Sequence, residues 1–495
     1  MATTNPALSA RESRARGARG IARWLVAVGA LGAISARAEV QFDPQIVFGV
    51  AHTDNLTLAR TDEEPQTVYE LVPSFRFSQQ SPRVTANAAY RIEAYDYHER
   101  DDSSVYHRLD GNMRLALDPD NFFLDLGANR DQTIVDPSAP VPRSNLPIST
   151  NRINRDEVYV GPEFQYALAG NATVNGSVRR SVVRYRDLDP MTGDYARDFD
   201  QDVVAFGVDN YRRQRGFTWA VRYNSDKTTY ELFPSYKYAQ ATVELGGWVT
   251  RGLRLFAAGG KESPWDMPFD SELRDTFWEA GFSTQQRERF HAEVAAGERS
   301  YGSSRRASVD LSFAHGSMTV SYNEQPMTQG RDPYLGGLLS PNETQDFLGR
   351  IGSAERYLSK QWRWSTAFDL RRTSISLSAF DESRDDRIRL DGTPLGNESQ
   401  KGSSVSVSRR AGARTEFVLD LWYVHREFVE VSTSSKVDAT AATFRVNYAL
   451  GSRTQLSLEY SRSKEDSVEG SLEPGYAANL ISVLLTRNFG AGTTR

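Results

Sequence analysis

Histidines are the side chains best suited to proton transfer or metal ligation, and the six here are scattered: His52, His98, His107, His291, His315 and His425. No H-E-x-x-H pair, nucleophile elbow or phosphate-binding loop accompanies them. A lone histidine at the end of an extended segment reads as an interfacial residue rather than a ligand. The acid pairs Asp101-Asp102 and Asp385-Asp386 fall in polar stretches. Barrel-rim proteases and phospholipases keep catalytic acids in such places, but solvated loop acids need no such role. The motif "HTDN" (His52 to Asn55) could be drawn as a cation site, yet as a strand ending in an Asx-rich turn it needs no metal. With 0 Cys there are no thiolate sites, disulfides or lipoprotein anchor. The expectation is no catalytic centre, no metal and no cofactor.

The polar residues that do form a pattern alternate with apolar ones. In "RVTANAAYRIEAYD", Val84, Ala86, Ala88, Tyr90, Ile92 and Ala94 share one face, and Arg91 and Glu93 stand on the other. In "HRLDGNMRLAL", Arg108, Asp110 and Arg114 oppose Leu109, Met113, Leu115 and Leu117. In "NFFLDLGANRD", Asp125 and Asp131 oppose Leu124 and Leu126. Arg222, Arg445 and Glu459 occupy the same kind of position farther on. A period of two is the mark of extended strands with unlike faces. If the apolar face meets lipid, these ten charged residues line a lumen. There they form cross-strand ion pairs that stiffen the wall, a polar conduit for a hydrophilic solute, or both.

Such strands recur almost from end to end, while helix-period patterning is nearly absent. Short turns such as "DPDN" (Asp118 to Asn121), "HGS" (His315 to Ser317) and "GSR" (Gly451 to Arg453) alternate with long loops rich in Pro, Gly, Asp and Ser. Loops of the latter kind start at Asp136, Asp187, Gln325 and Ser383. The segments Thr173 to Tyr185 and Ala354 to Phe368 mix their faces and are placed by spacing alone. Alternation sustained for about 10 residues suits a tilted membrane crossing better than the usual strands of a soluble sandwich, roughly 5 or 6 residues long. The prediction is an all-β fold: a transmembrane antiparallel up-and-down barrel of about 22 strands, with 16 to 24 allowed, at roughly 20 residues per strand and connection. Hydrocarbon offers backbone groups no partner, so the last strand must close on the first. The strand "LISVLLTRNF" suits that place, with Ile481, Val483, Leu485 and Phe489 as the barrel-closing signal read by barrel-assembly machinery. Arg487 interrupts its apolar face and can snorkel to the interface.

The N-terminus supplies an export route. Arginines at 11, 14, 16, 19 and 23 precede the apolar run Trp24 to Ile34, and Ala36-Arg37-Ala38 follows. Residues 1–38 therefore read as a cleaved signal peptide and 39–495 as the barrel. The mean hydropathy of −0.54 argues against a bundle of apolar helices. A net charge of −5 gives no basic stripe for nucleic acid.

"FGVAHTDNLTL" with "VPSFRF", "AAYRIEAY", "TSISLSAFDESR" and the ending "YSRSKEDS…YAANLISVLLTRNF" resemble the outer-membrane proteins associated with the exosortase/PEP-CTERM system, akin to β-barrel porins of exopolysaccharide operons. The similarity covers essentially the mature chain. It implies a Gram-negative outer-membrane barrel, a channel or scaffold linked to exopolysaccharide export or surface assembly, and it carries over no catalytic residue. The partners so implied are outer-membrane lipid, barrel-assembly machinery, and exopolysaccharide or its export apparatus. A general diffusion porin and a rim-located hydrolase are the alternatives.

Overall fold

The computed structural model describes residues 39–490 except 135–141, 143, 150, 169–170, 187–197, 212–215, 231–234, 264–274, 285–288, 329–354, 390–391, 430–433 and 469–474. The signal peptide expected at 1–38 lies outside the described residues, as do most residues of the long loops.

Twenty-two strands follow one another without an intervening helix among the described residues. The first seven are Glu39–Thr53 (β1), Gln66–Gln80 (β2), Val84–Tyr97 (β3), Asp102–Asp118 (β4), Phe122–Ile134 (β5), Arg152–Ala167 (β6) and Thr173–Arg186 (β7). Next come Phe199–Asp209 (β8), Phe217–Tyr230 (β9), Tyr236–Trp248 (β10), Leu253–Glu262 (β11), Thr276–Thr284 (β12), Phe290–Arg299 (β13) and Gly302–Phe313 (β14). Then follow Gly316–Thr328 (β15), Glu355–Leu370 (β16), Thr373–Arg389 (β17), Glu398–Arg410 (β18), Thr415–Val429 (β19), Ser434–Ala449 (β20), Thr454–Val468 (β21) and Tyr476–Asn488 (β22). Each pairs antiparallel with the next, and β22 pairs with β1 from Gln45↔Asn488 to Thr53↔Leu480. The sheet is a closed barrel, so every strand has an inner and an outer face. Among the described residues no strand is left as a free edge, whose unpaired backbone groups would each cost several kcal/mol in lipid.

The exposed large apolar side chains all stand on the outer face. Phe42, Phe48 and Val50 on β1, Val243 and Leu245 on β10, Leu419 and Leu421 on β19, and Ile481, Val483 and Leu485 on β22 are examples. A soluble protein does not display such a continuous belt; lipid is its solvent, and the chain is an outer-membrane barrel. Both described ends of the chain lie at the rim of short turns, and the long loops lie at the other. Strand pairing climbs from one rim to the other. Partners followed along the outer face from Pro44 near the start of β1 run through Phe75, Tyr90, Leu109, Arg130 and Asp156 to Arg184 near the long-loop end of β7. That climb is the strand tilt, about 45° in barrels of this kind.

The strands extend beyond what the membrane requires, and this explains the ambiguous segments. A crossing needs about 9–11 residues, but β7 has 14 and β16 has 16. Beyond the hydrocarbon both faces are wet, so alternation fades while backbone pairing continues. Arg180 and Arg184 stand on the outer face of β7 for this reason. The same reason corrects the loop expected from Ser383: β17 continues to Arg389, and Asp385-Asp386 lies within it. A bulge there sets two residues of β17 against Tyr357 alone, and Asp386 adopts a φ of 54°.

Candidate functional site

The lumen wall is built from the alternate residues that the outer belt leaves over. All ten charged residues singled out by alternation point into it, and the pairing register brings them together in sets. Arg91 meets Glu93 at 2.9 Å on β3. Arg108 reaches Asp131 at 3.7 Å. Arg114 bridges Glu163 at 2.8 Å and Asp125 at 3.7 Å. Asp110 stands between these sets, beside Asn129 in register. Arg222 contacts Glu244 at 3.1 Å, and Arg445 contacts Glu459 at 2.6 Å.

Further members of this ladder were not singled out in the sequence. Glu244 also receives Arg254 and the hydroxyl of Tyr211, the latter at 2.7 Å. Tyr211 lies outside the strands, and burial together with donation to Glu244 pushes its phenol up to about 12, so it remains a donor at any physiological pH. Glu262 is fully buried and accepts Arg299 at 2.7 Å, Tyr238 at 2.8 Å and the Ser300 amide at 2.6 Å. Arg306 joins Glu279 at 2.9 Å and also contacts Glu293. Aromatic rings back the cations: Arg179 lies 3.6 Å over Tyr159, and Arg299 lies 4.5 Å over Phe277. The Tyr159 ring in turn covers Gly127, where a Cβ would collide with it. From β3 to β14 the wall is thus a ladder of acids and arginines that neutralise one another.

The short-turn half of the wall from β15 to β18 differs. Serine and threonine are its commonest inner residues: Ser308 on β14 faces Ser321, Thr319 faces Ser365, Ser365 faces Ser378, and Ser376 faces Ser406. On β19 to β21 the inner face carries charge again, with Asp420, Arg445 and Glu459. The Ser378 and Ser404 hydroxyls share a hydrogen bond of 2.8 Å. Charges return near the long-loop end, where Glu382 accepts from Arg384 at 3.2 Å and Gln400 at 3.0 Å. Arg426, 2% exposed, lies 3.8 Å from Glu465. The signal for this hydroxyl wall was present in "TSISLSAF" and "SSVSVS" as serines at every second position.

At the long-loop mouth the chain after β1 turns inward. Leu56, fully buried, packs with Tyr95, Tyr97, Val68 and Leu146 inside the barrel, and Leu58 packs on Tyr476 and Ala478. The Ile148 amide donates to the Leu56 carbonyl at 3.1 Å, and Tyr97 donates to the Leu146 carbonyl at 3.1 Å. Asn145 donates to Glu93 at 2.8 Å. "HTDN" accordingly serves as a clasp rather than a metal site. Asp54 accepts the amide and side-chain N–H of Asn479 on β22 at 2.7 and 2.6 Å. Asn55 accepts from the Ala59 amide at 2.9 Å and donates to the carbonyls of Ala59 and Ala477 at 2.6 and 2.9 Å. The clasp continues the seam pairing past Thr53. Two leucines in an otherwise polar loop were its only trace in the sequence.

On the closing strand, Ile481, Val483 and Leu485 face outward, and the Phe489 amide extends the seam by donating to the Pro44 carbonyl at 2.8 Å. Arg487 stands at the short-turn rim, bonded to the Thr454 hydroxyl. Among the described residues no three acids or histidines converge as metal ligands. Asp385 is held by Lys360 at 2.7 Å on the outer face, and Asp101 sits in the β3–β4 turn with a φ of 52°.

No family profile matches the chain, and no curated protein does. Among solved structures it is similar to a loop-deletion mutant of OmpT, an outer membrane protein of Vibrio cholerae, at 12% identity and TM-score 0.32 over 91% of this chain and 99% of that one. It is similar to OccAB3 of Acinetobacter baumannii at 10% identity and TM-score 0.36 over 92% and 100%. It is also similar to the FrpB iron transporter of Neisseria meningitidis at 9% identity and TM-score 0.41 over 91% and 83%. At these identities the likeness is one of barrel architecture alone.

Proposed function

We propose that this channel-type outer-membrane barrel is a conduit for a polyhydroxylated polymer, serving exopolysaccharide export linked to PEP-CTERM surface assembly. The observation that carries the reading is the division of the lumen into two walls. A serine or threonine hydroxyl both donates and accepts, and each net hydrogen bond is worth only about 1 kcal/mol. A row of them lets a sugar chain exchange partners one at a time without being trapped. The facing ladder of Arg–Glu and Arg–Asp pairs is already satisfied, so it offers a solute little net charge to bind and holds the wall in shape. The inward-turned Leu56 and Leu58 pack on the wall at the mouth, where an entering chain would pass them.

No catalytic role is assigned. Asp385 is engaged by Lys360 and faces outward, away from any substrate in the lumen. The partner at the seam is the barrel-assembly machinery, which reads β22 through Phe489.

Planar-bilayer recording of the purified mature protein tests the conduit. The expected result is a low current interrupted briefly and in proportion to concentration by neutral glucan oligosaccharides. A large steady current indifferent to oligosaccharide would replace this reading with a general diffusion porin.

A further inference from the structure

Above the apolar belt, at the long-loop rim, the outer face carries charges, and they are disposed in two ways. On β5 to β8 they cancel: Arg130 pairs with Asp156 at 3.1 Å, Arg186 with Asp156 at 2.6 Å, Arg184 with Asp200 at 2.9 Å and Arg180 with Asp200 at 3.1 Å. On β16 to β21 they balance in number, but the pairing is incomplete. The acids there are already engaged: Asp385 by Lys360, Glu427 by Lys436 at 2.9 Å, Asp466 by Lys464 at 2.5 Å, and Asp438 by Tyr423 and His425 at 2.8 and 2.9 Å. Asp381 stands opposite Lys401 in register yet makes no ion pair with it among the described residues. Lys401 and Arg462 make no ion pair among the described residues, although Lys401 lies within electrostatic reach of Glu427 and Asp438.

A strand tilt of about 45° sets these two cations at one height. Partners followed from Lys401 through His425 and Asp438 reach Asp466. Three strands at about 4.8 Å climb with the tilt by as much as about four residues of strand length. The level of Lys401 on β21 therefore lies about four residues below Asp466, which is where Arg462 stands. Between them, two adjoining grooves run over the outer face, of about 660 and 370 Å³, sharing Ser403 and Tyr423. Trp362 and Tyr322 wall the first, beside Lys401, Lys360 and Asp381. Val405 and Leu421 floor the second, beside Arg462 and Lys464.

We propose that this double groove is a binding site for a phosphorylated glycolipid of the outer leaflet. Each part of the groove has its counterpart in such a molecule. Acyl chains lie on Val405, Leu421 and the belt below them. The sugar ring rests against Trp362 and Tyr423 with Ser383, Ser403 and Thr440 within the grooves as hydroxyl partners. The phosphates meet Lys401 and Arg462, neither of which is held in an ion pair among the described residues. A plain phospholipid would leave the aromatic and hydroxyl surface unused. The site rests on the barrel's orientation in the membrane and not on polymer passage, so the conductance experiment leaves it standing or falling by itself.

The test is native mass spectrometry of the full mature barrel in detergent, titrated with a purified diphosphorylated, acylated glucosamine disaccharide lipid. The expected result is a retained one-to-one complex whose affinity falls at least tenfold in a Lys401→Glu/Arg462→Glu variant and stays unchanged in Arg180→Glu. The dephosphorylated lipid should bind equally weakly to all three proteins. Heat-modifiable gel migration confirms that each barrel is folded. If the charge reversals do not insert, Lys401→Gln/Arg462→Gln takes their place. Undiminished binding by the double variant overturns the proposal. So does equal retention of phosphatidylglycerol, or displacement of the lipid by an equimolar concentration of inorganic phosphate.

Discussion

The two walls of the lumen use polar side chains in opposite ways. From β3 to β14, arginines and acids are consumed by one another: Glu244 alone receives Arg222, Arg254 and Tyr211. From β15 to β18, serine hydroxyls meet one another across the strands, as Ser378 and Ser404 do. One wall is built of opposite charges held together, while the other is built of uncharged hydroxyls.

The charged wall should break first and hardest. Arg254 and Glu244 are only 9% and 6% exposed in their side chains, and removing one partner of a buried pair strands the other. Arg254→Ala should lower stability by about 3 kcal/mol, read as a fall in the denaturant midpoint for loss of the fast-migrating, unboiled band. A change below about 1 kcal/mol would mean that this wall is as loosely committed as the serine one. The mouth comes next. Asn55→Ala removes three hydrogen bonds from a buried site and should cost about 1–3 kcal/mol, with a rise in single-channel current as the inward segment loosens; an unchanged current would separate the clasp from the passage. The smallest structural effect belongs to the hydroxyl wall. Ser378→Ala/Ser404→Ala should change stability by about 1 kcal/mol or less while lengthening or abolishing the oligosaccharide interruptions. Large destabilisation without any effect on those interruptions would erase the contrast between the walls.

Much of the fold was legible in the sequence, because a barrel in lipid has to declare itself locally. Alternation in segments such as Val84 to Ala94 marks strand and face together, and dividing the mature chain by the repeat length arrives at the 22 strands observed. Legibility failed where the membrane constraint ends. At Ser383 to Arg389 both faces are polar, so the continuation of β17 read as loop. The lumen was legible by half. The face on which Arg114 stands follows from its neighbours, but its bond to Glu163 crosses from β4 to β6 and depends on register over two strands. Asn55 was legible as part of an Asx-rich turn, but its bond to Ala477 and the burial of Leu56 were missed, because a loop that turns inward has no period to betray it.

Period and composition by themselves determined which residues could meet lipid, how many strands the chain could form, and that the last of them had to find the first. Each of these depends on contacts made along a single strand or on a requirement every backbone group shares. Only the closed, tilted barrel decided which charges cancel and which are left over. Lys401 and Arg462 stand 61 positions apart in the chain, yet pairing through β19 and β20 sets them on one outer face three strands apart. Ion pairing falls off within a few ångströms, so its outcome belongs to register and tilt, which no stretch of sequence contains.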